Sequence, residues 1–120
     1  MATPREIAES YWRAECERDI SAILSHYHPD ARFQAPGWDL HGHNEIRKYY
    51  EASAEGYPGL EVEVGSDVTD GDNAAIEWKA VLIDHDGARH PLDGINMITV
   101  KDGQFSDVHA YFDTGNAGAE

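Results

Sequence analysis

The stretch His90–Asp113, HPLDGINMITVKDGQFSDVHAYFD, decides how this chain is read. Core-type residues run up to Asp102-Gly103 and resume after it, which predicts two long strands joined by a tight hairpin turn. Three polar residues stand among them: Asp93, Asn96 and His109. Polar groups in a hairpin otherwise rich in core residues suggest the floor of a pocket, roofed by helices from the first half of the chain. Alternation in the second strand places Val108, Ala110 and Phe112 inward and His109 outward with Tyr111.

Further back, Asp86-Gly87 and Asp70-Gly71 mark two more turns, with a strand over Ala74–Ile83 between them. Leu60, Val62 and Val64 alternate with Glu61 and Glu63, the pattern of a strand with one wet face. Ala74–Ile83 is apolar on both sides and leaves two registers open. In one, Ile76, Trp78, Ala80 and Leu82 meet the helices while Glu77 and Lys79 are wet. In the other, Glu77 and Lys79 point into the pocket and the Trp78 face needs a partner subunit. A one-residue slip exchanges the two, and propensity favours the first.

The first half reads as helical. Thr3 is the expected N-cap, Pro4 fits the first helical position and Glu6 closes a capping box. This helix is predicted to run to about Arg18, with Ile7, Tyr11 and Ala14 on one face and Ala8 and Trp12 beside it. Asp19 caps a second helix whose buried stripe is Ile20, Ile23, Leu24 and Tyr27, ended by His28-Pro29-Asp30. A short strand, Ala31–Ala35, is centred on Phe33; Pro36-Gly37 breaks it and Trp38 follows in a loop. A third helix, about Asn44 to Ala54, turns Ile46, Tyr49 and Tyr50 inward and stops at Gly56 and Tyr57-Pro58-Gly59. Helices followed by a strand meander give an α+β fold, three helices on one face of a curved antiparallel sheet, in one domain spanning residues 1–120.

Nine basic against 23 acidic residues give a net charge of −14, which argues against nucleic-acid partners and anionic membranes. No apolar run approaches the roughly 20 residues of a membrane span, and the N-terminus MATPREIAES is too polar for a secretory signal. The single cysteine, Cys16, excludes an internal disulfide and a multi-cysteine zinc site. A cytoplasmic location is expected. His41-Gly42-His43 and His26-Tyr27-His28 lack the spacing of helical zinc motifs, so neither metal nor cofactor is expected.

The segments YWRAECERDISAILSHYHPDARFQAPG, LHGHNEIRKYY and PLDGINMITVKDGQFSDVHAYFD, in this order, cover most of the chain. Together they resemble the nuclear transport factor 2-like superfamily, also called the SnoaL-like or ketosteroid isomerase-like fold. The resemblance implies a cone-shaped α+β barrel that binds small apolar molecules inside the cone. Residue by residue, the ketosteroid isomerase branch is the nearest match. Its oxyanion tyrosine falls on Tyr11, the two tyrosines that support it on Tyr27 and Tyr50, and its protonated aspartic acid on Asn96. Its aspartate base falls on Ala35, so the usual steroid isomerisation is not expected. SnoaL-type cyclases and limonene-type epoxide hydrolases carry an acid on the last strand, at Ala110 here. The arginine and aspartate of those hydrolases fall on Glu77 and Lys79.

The function expected on these grounds is an isomerase-, cyclase- or lyase-type enzyme acting on a small apolar molecule with a carbonyl or ring oxygen. Tyr11, supported by Tyr27 and Tyr50, and Asn96 hold that oxygen. Asp93, Glu77 and a bound water are the alternatives for the base. Tyr27, Phe33, Ala35, Trp38, Glu77, Lys79, Val108, Ala110 and Phe112 are the expected ligand-contacting positions. The acids absent at Ala35 and Ala110 favour a second reading, a binding module without chemistry. A third is an interaction module using the outer sheet face. A homodimer packed through sheet faces is expected, because one face of Ala74–Ile83 otherwise exposes apolar side chains.

Overall fold

Three helices and six strands follow one another in the computed structural model, which describes residues 2–113; the expected domain ends at 1 and 120 lie outside that range. Helix α1, Pro4–Cys16, starts at a complete capping box: Thr3 accepts from the Glu6 N–H and the Glu6 carboxylate accepts from the Thr3 N–H. It buries Ile7, Ala8, Tyr11, Trp12 and Ala14. Helix α2, Ile20–Ser25, is capped by the Asp19 side chain as expected. It ends before Tyr27, which is the first residue of strand β1, Tyr27–Ala35, rather than part of the helix stripe. The reason is long-range: the His26 carbonyl accepts from the Phe105 N–H at 2.8 Å, and Tyr27 is drawn alongside Phe105 of the last strand. Pro29 has no N–H to give to that pairing, and the register shifts between Tyr27 and Arg32.

Pro36-Gly37, with Gly37 at φ +84°, forms a two-residue turn rather than a break. Trp38 therefore begins a short strand, β2, Trp38–His41, paired with β1 through Ala35 opposite Trp38. Helix α3, Gly42–Gly56, follows, then β3, Gly59–Asp70, β4, Asn73–Ile83, β5, Arg89–Lys101, and β6, Gln104–Phe112. The final hairpin has the anticipated turn: Asp102 at φ +55° and Gly103 at φ +80° are both left-handed, as the tight twisted hairpin requires.

The strand order is β2-β1-β6-β5-β4-β3, antiparallel throughout except for the parallel β1–β6 pair. Register shifts at Val64/Asp67 and Thr99/Val100 bend the sheet, which curves without closing on itself. The helices cover its concave face.

Register in β4 is the first of the two possibilities. Ala74, Ile76, Trp78 and Ala80 are buried beneath the helices, and Glu77 and Lys79 are exposed on the opposite face. Gly94 of β5 makes that register possible. A Cβ at this position would lie 2.4 Å from Cζ2 of Trp78 and 2.6 Å from the Tyr111 carbonyl oxygen. The indole occupies the space a side chain would have taken, and it touches Phe112 with ring centroids 5.9 Å apart.

Candidate functional site

Helix α1 contributes Tyr11 and, one turn further on, Glu15 to a cavity of about 360 Å³ between the helices and the sheet. Helix α3 adds Tyr49 and Ser53 to the wall; the strands supply Phe33, Leu60, Val62, Trp78, Leu92, Asn96, Ala110 and Phe112. Trp38, 46% exposed, stands at the rim against Tyr49, with ring centroids 5.4 Å apart. The volume lies within the range of small-molecule pockets, and the lining is mostly apolar and aromatic.

Three buried tyrosines meet behind the wall. The Tyr50 hydroxyl lies 2.6 Å from that of Tyr11 and 2.6 Å from that of Tyr27. Only Tyr11 of the three reaches the cavity surface. Each hydroxyl has one proton: Tyr27 donates to Tyr50, Tyr50 donates to Tyr11, and the Tyr11 proton is left for the cavity side, where a ligand oxygen or the Glu15 carboxylate accepts it. Two donated bonds upstream polarise the Tyr11 O–H and strengthen it as a donor. Burial pushes the Tyr11 and Tyr50 hydroxyls well above the ordinary tyrosine range, and Tyr27 upward as well, so all three stay protonated at neutral pH.

Asn96 faces Tyr11 from the floor and is 5% exposed. Its Oδ1 accepts from Nε1 of Trp78 at 2.9 Å. An indole N–H can only donate, so this bond fixes which end of the amide is the oxygen and leaves Nδ2, with two N–H groups, on the cavity side. The floor and the roof thus each present a donor to the same apolar space.

Glu15 is the residue that the sequence reading missed. It is partly buried and lines the cavity. Burial raises its carboxyl above the ordinary glutamate range, while the Tyr11 hydroxyl and the Arg18 guanidinium pull it back. Among the described residues no cation lies within ion-pair distance of it. Arg18 is engaged elsewhere: from a left-handed φ of 55° it donates to the Tyr57 carbonyl at 2.6 and 3.1 Å and to the Ser53 carbonyl at 3.4 Å. It therefore closes the C-terminal end of α3. The signal for Glu15 was available: it follows Ile7 and Tyr11 at successive intervals of four, a carboxylate in an apolar helical stripe. Tyr49 was read as part of the α3 face but not as wall; its hydroxyl too is raised by burial.

Of the expected site residues, Tyr11, Asn96, Phe33, Trp38, Ala110 and Phe112 line the cavity. Tyr27, Tyr50, Ala35 and Val108 are buried on the same side of the sheet but stand behind the wall. Asp93, Glu77 and Lys79 do not reach it. They are exposed on the outer face, around a shallow depression with Glu63 and Tyr111. Strand alternation puts them there, since Lys79 pairs with Asp93 and both flank the inward residues Trp78, Ala80 and Leu92. The histidines are dispersed: His26 meets Ser10, His43 the Tyr27 carbonyl, and His90 Asp84.

A helix-covered, curved sheet with an aromatic cavity beneath the helices defines the class, a cone-shaped α+β fold. Within it, the chain belongs to the SnoaL-like domain family, whose model matches residues 8–108. No curated protein matches the chain. Among solved structures it is similar to TerC co-crystallised with polyporic acid, at 22% identity over 94% of this chain and 93% of that one, TM-score 0.82. It is also similar to a hypothetical protein of ketosteroid isomerase-like fold from Catenulispora acidiphila in complex with trimethylamine, at 13% identity, 98% and 92% coverage and TM-score 0.86. An LEH-like epoxide hydrolase from M. tuberculosis shares 18% identity over 94% and 84% of the two chains, with a TM-score of 0.80. At these identities the likeness is one of fold.

Proposed function

We propose that this protein is an isomerase- or cyclase-type enzyme that binds a small apolar carbonyl compound and stabilises negative charge on its oxygen. The observation that carries this reading is the pairing of two prepared donors on one apolar cavity. Tyr11 is backed by two 2.6 Å hydroxyl bonds, and Asn96 is oriented by Trp78. Donors held in place before the reaction stabilise an enolate oxygen more than they stabilise the neutral ketone, which lowers the barrier to forming it. The small ligands bound by the TerC and Catenulispora structures support an organic occupant. The alternative, a binding module without chemistry, is supported by the buried alanines Ala35 and Ala110, where the resemblance places acids.

A bicyclic phenol tests the reading, because its anion mimics an enolate. β-Naphthol is expected to bind the wild-type protein partly as the anion, which its fluorescence reports. Tyr11→Phe is expected to weaken binding roughly 10- to 100-fold, the cost of one hydrogen bond to a charged acceptor. Binding that is indifferent to both Tyr11→Phe and Asn96→Ala would refute it.

The outer face carries Ile95, Met97 and Tyr111, 42–52% exposed, beside the stacked His109–Tyr111 pair. We propose a homodimer formed across this face, in the cytoplasm, with neither nucleic acid nor membrane as partner. The net charge of −14 supports those two exclusions. Among the described residues no helix is long and apolar enough to cross a membrane.

A further inference from the structure

We infer that Glu15 is the proton-transfer group of this cavity, a carboxylate that removes a hydrogen from the carbon next to the substrate carbonyl and returns it to carbon. The inference rests on the oxyanion reading above and supplies the base that reading lacks. Three observations carry it. First, Glu15 and Tyr11 are four residues apart on α1 and both line the cavity. One helical turn separates them by about 6 Å along the axis, on the same face. A carbonyl oxygen held by Tyr11 and Asn96 thus leaves the neighbouring carbons of the same molecule alongside the Glu15 carboxyl. Second, no ion pair among the described residues neutralises Glu15; the Arg18 guanidinium acts on it only through space, while its Nε and Nη2 donate to the Ser53 and Tyr57 carbonyls. A partly buried carboxylate on a cavity wall, with no ion-pair partner, is placed for proton transfer rather than for holding the fold together. Third, the other carboxylates considered for the task, Asp93 and Glu77, are on the wrong side of the sheet.

The step balances within the substrate and one side chain. The C–H bond breaks, its proton goes to a Glu15 oxygen, and its electron pair becomes the C=C bond of an enolate whose oxygen accepts from Tyr11 and Asn96. Collapse of the enolate re-forms C=O, and the carbon end takes the proton back from Glu15. Return to the same carbon is exchange; return to a conjugated carbon two bonds away is isomerisation. No co-reactant is consumed. The charged and titratable groups around Glu15 are Tyr11 and Cys16 on its own helix and Arg18 in the following turn. Tyr27 on β1 and Tyr49 and Tyr50 on α3 complete the set. Burial raises the carboxyl toward neutrality, where a general base works best.

β-Tetralone in deuterated buffer reads the step directly, since its α-hydrogens exchange through the enolate and proton NMR follows their loss. Wild-type protein is expected to accelerate exchange over buffer, with a rate that rises with pH through an apparent pKa above that of free glutamate. Glu15→Gln is expected to lose roughly 10²- to 10⁴-fold of that acceleration while binding β-naphthol with unchanged or tighter affinity. Glu15→Asp, which keeps the carboxylate but shortens its reach, is expected to retain part of the rate and a sigmoidal pH profile. A Glu15→Gln protein that exchanges at the wild-type rate overturns the assignment. So does a wild-type protein that binds β-naphthol through Tyr11 yet exchanges nothing; the oxyanion reading survives both results. Absence of Tyr11-dependent naphthol binding overturns the oxyanion reading and this inference with it.

Discussion

Replacing Tyr50 with phenylalanine removes one oxygen from the centre of the tyrosine chain and strands two others. Tyr11, Tyr27 and Tyr50 are 4%, 0% and 1% exposed, and both hydrogen bonds of the chain, each 2.6 Å, are made by Tyr50. A buried hydroxyl left without a partner costs about 1–3 kcal/mol. Tyr27 has no route to solvent, so its share is expected in full. Tyr11 borders the cavity, where water can take up its bond, so its share is smaller. The expected destabilisation for Tyr50→Phe is therefore about 2–4 kcal/mol. Tyr27→Phe breaks one bond at the end of the chain and leaves Tyr50 paired with Tyr11, so about 0.5–1.5 kcal/mol is expected. Urea denaturation separates the two. With a slope of about 1–3 kcal/mol per molar urea, a 2 kcal/mol gap moves the midpoints roughly 0.7–2 M apart. Equal midpoints for the two variants, or a lower one for Tyr27→Phe, would refute a chain with Tyr50 at its centre.

Gly94→Ala is expected to lower stability by about 1–3 kcal/mol, because its Cβ meets both the Trp78 ring and the Tyr111 backbone, which cannot both yield; thermal unfolding measures it. Trp78→Phe frees the Asn96 amide to rotate and is expected to weaken β-naphthol binding nearly as much as Asn96→Ala does, as titration would show. Protonation of Glu15 favours the folded state. Its contribution is fully present below the ordinary value of 4.5 and is lost as pH rises through the higher folded value, so Glu15→Gln should flatten the fall in melting temperature across that window. Sedimentation should show a dimer at micromolar concentration that Met97→Lys dissociates, since Met97 is 52% exposed on the outer face; a monomeric wild type would end the dimer proposal.

Local chemistry made most of the fold legible. The capping box at Thr3–Glu6 and the Asp102-Gly103 turn are short-range devices, and the residues that form them sit side by side in the chain. Tyr27 and Trp38 were misplaced for the opposite reason. The strand state of Tyr27 depends on Phe105, far along the sequence, and Trp38 pairs across a Pro-Gly turn that reads equally well as a loop. In the site, Tyr11 and Asn96 came from the family resemblance, and both lie on the cavity wall. Asp93 was chosen for its chemistry, although strand alternation from Asn96 already turned it outward. Glu15 was passed over as one acid among 23, because composition does not distinguish a solvated carboxylate from one facing a cavity.

The parallel pairing of β1 with β6 sets the order in which this molecule can be made. Among the described residues β1 pairs with the short β2 and with β6, and Tyr27 lies opposite Phe105. β3 to β6 are successive hairpins that can zip locally, whereas β1 must wait for a contact closed across most of the chain. During synthesis the helices emerge first yet have no complete sheet to lie on. Tyr27 cannot be held in line with Tyr50 and Tyr11 until β6 has left the ribosome. The cavity is therefore assembled only once β6 has been made, and a nascent chain halted before Gln104 carries its two N-terminal helices as exposed apolar surface, a client for chaperones.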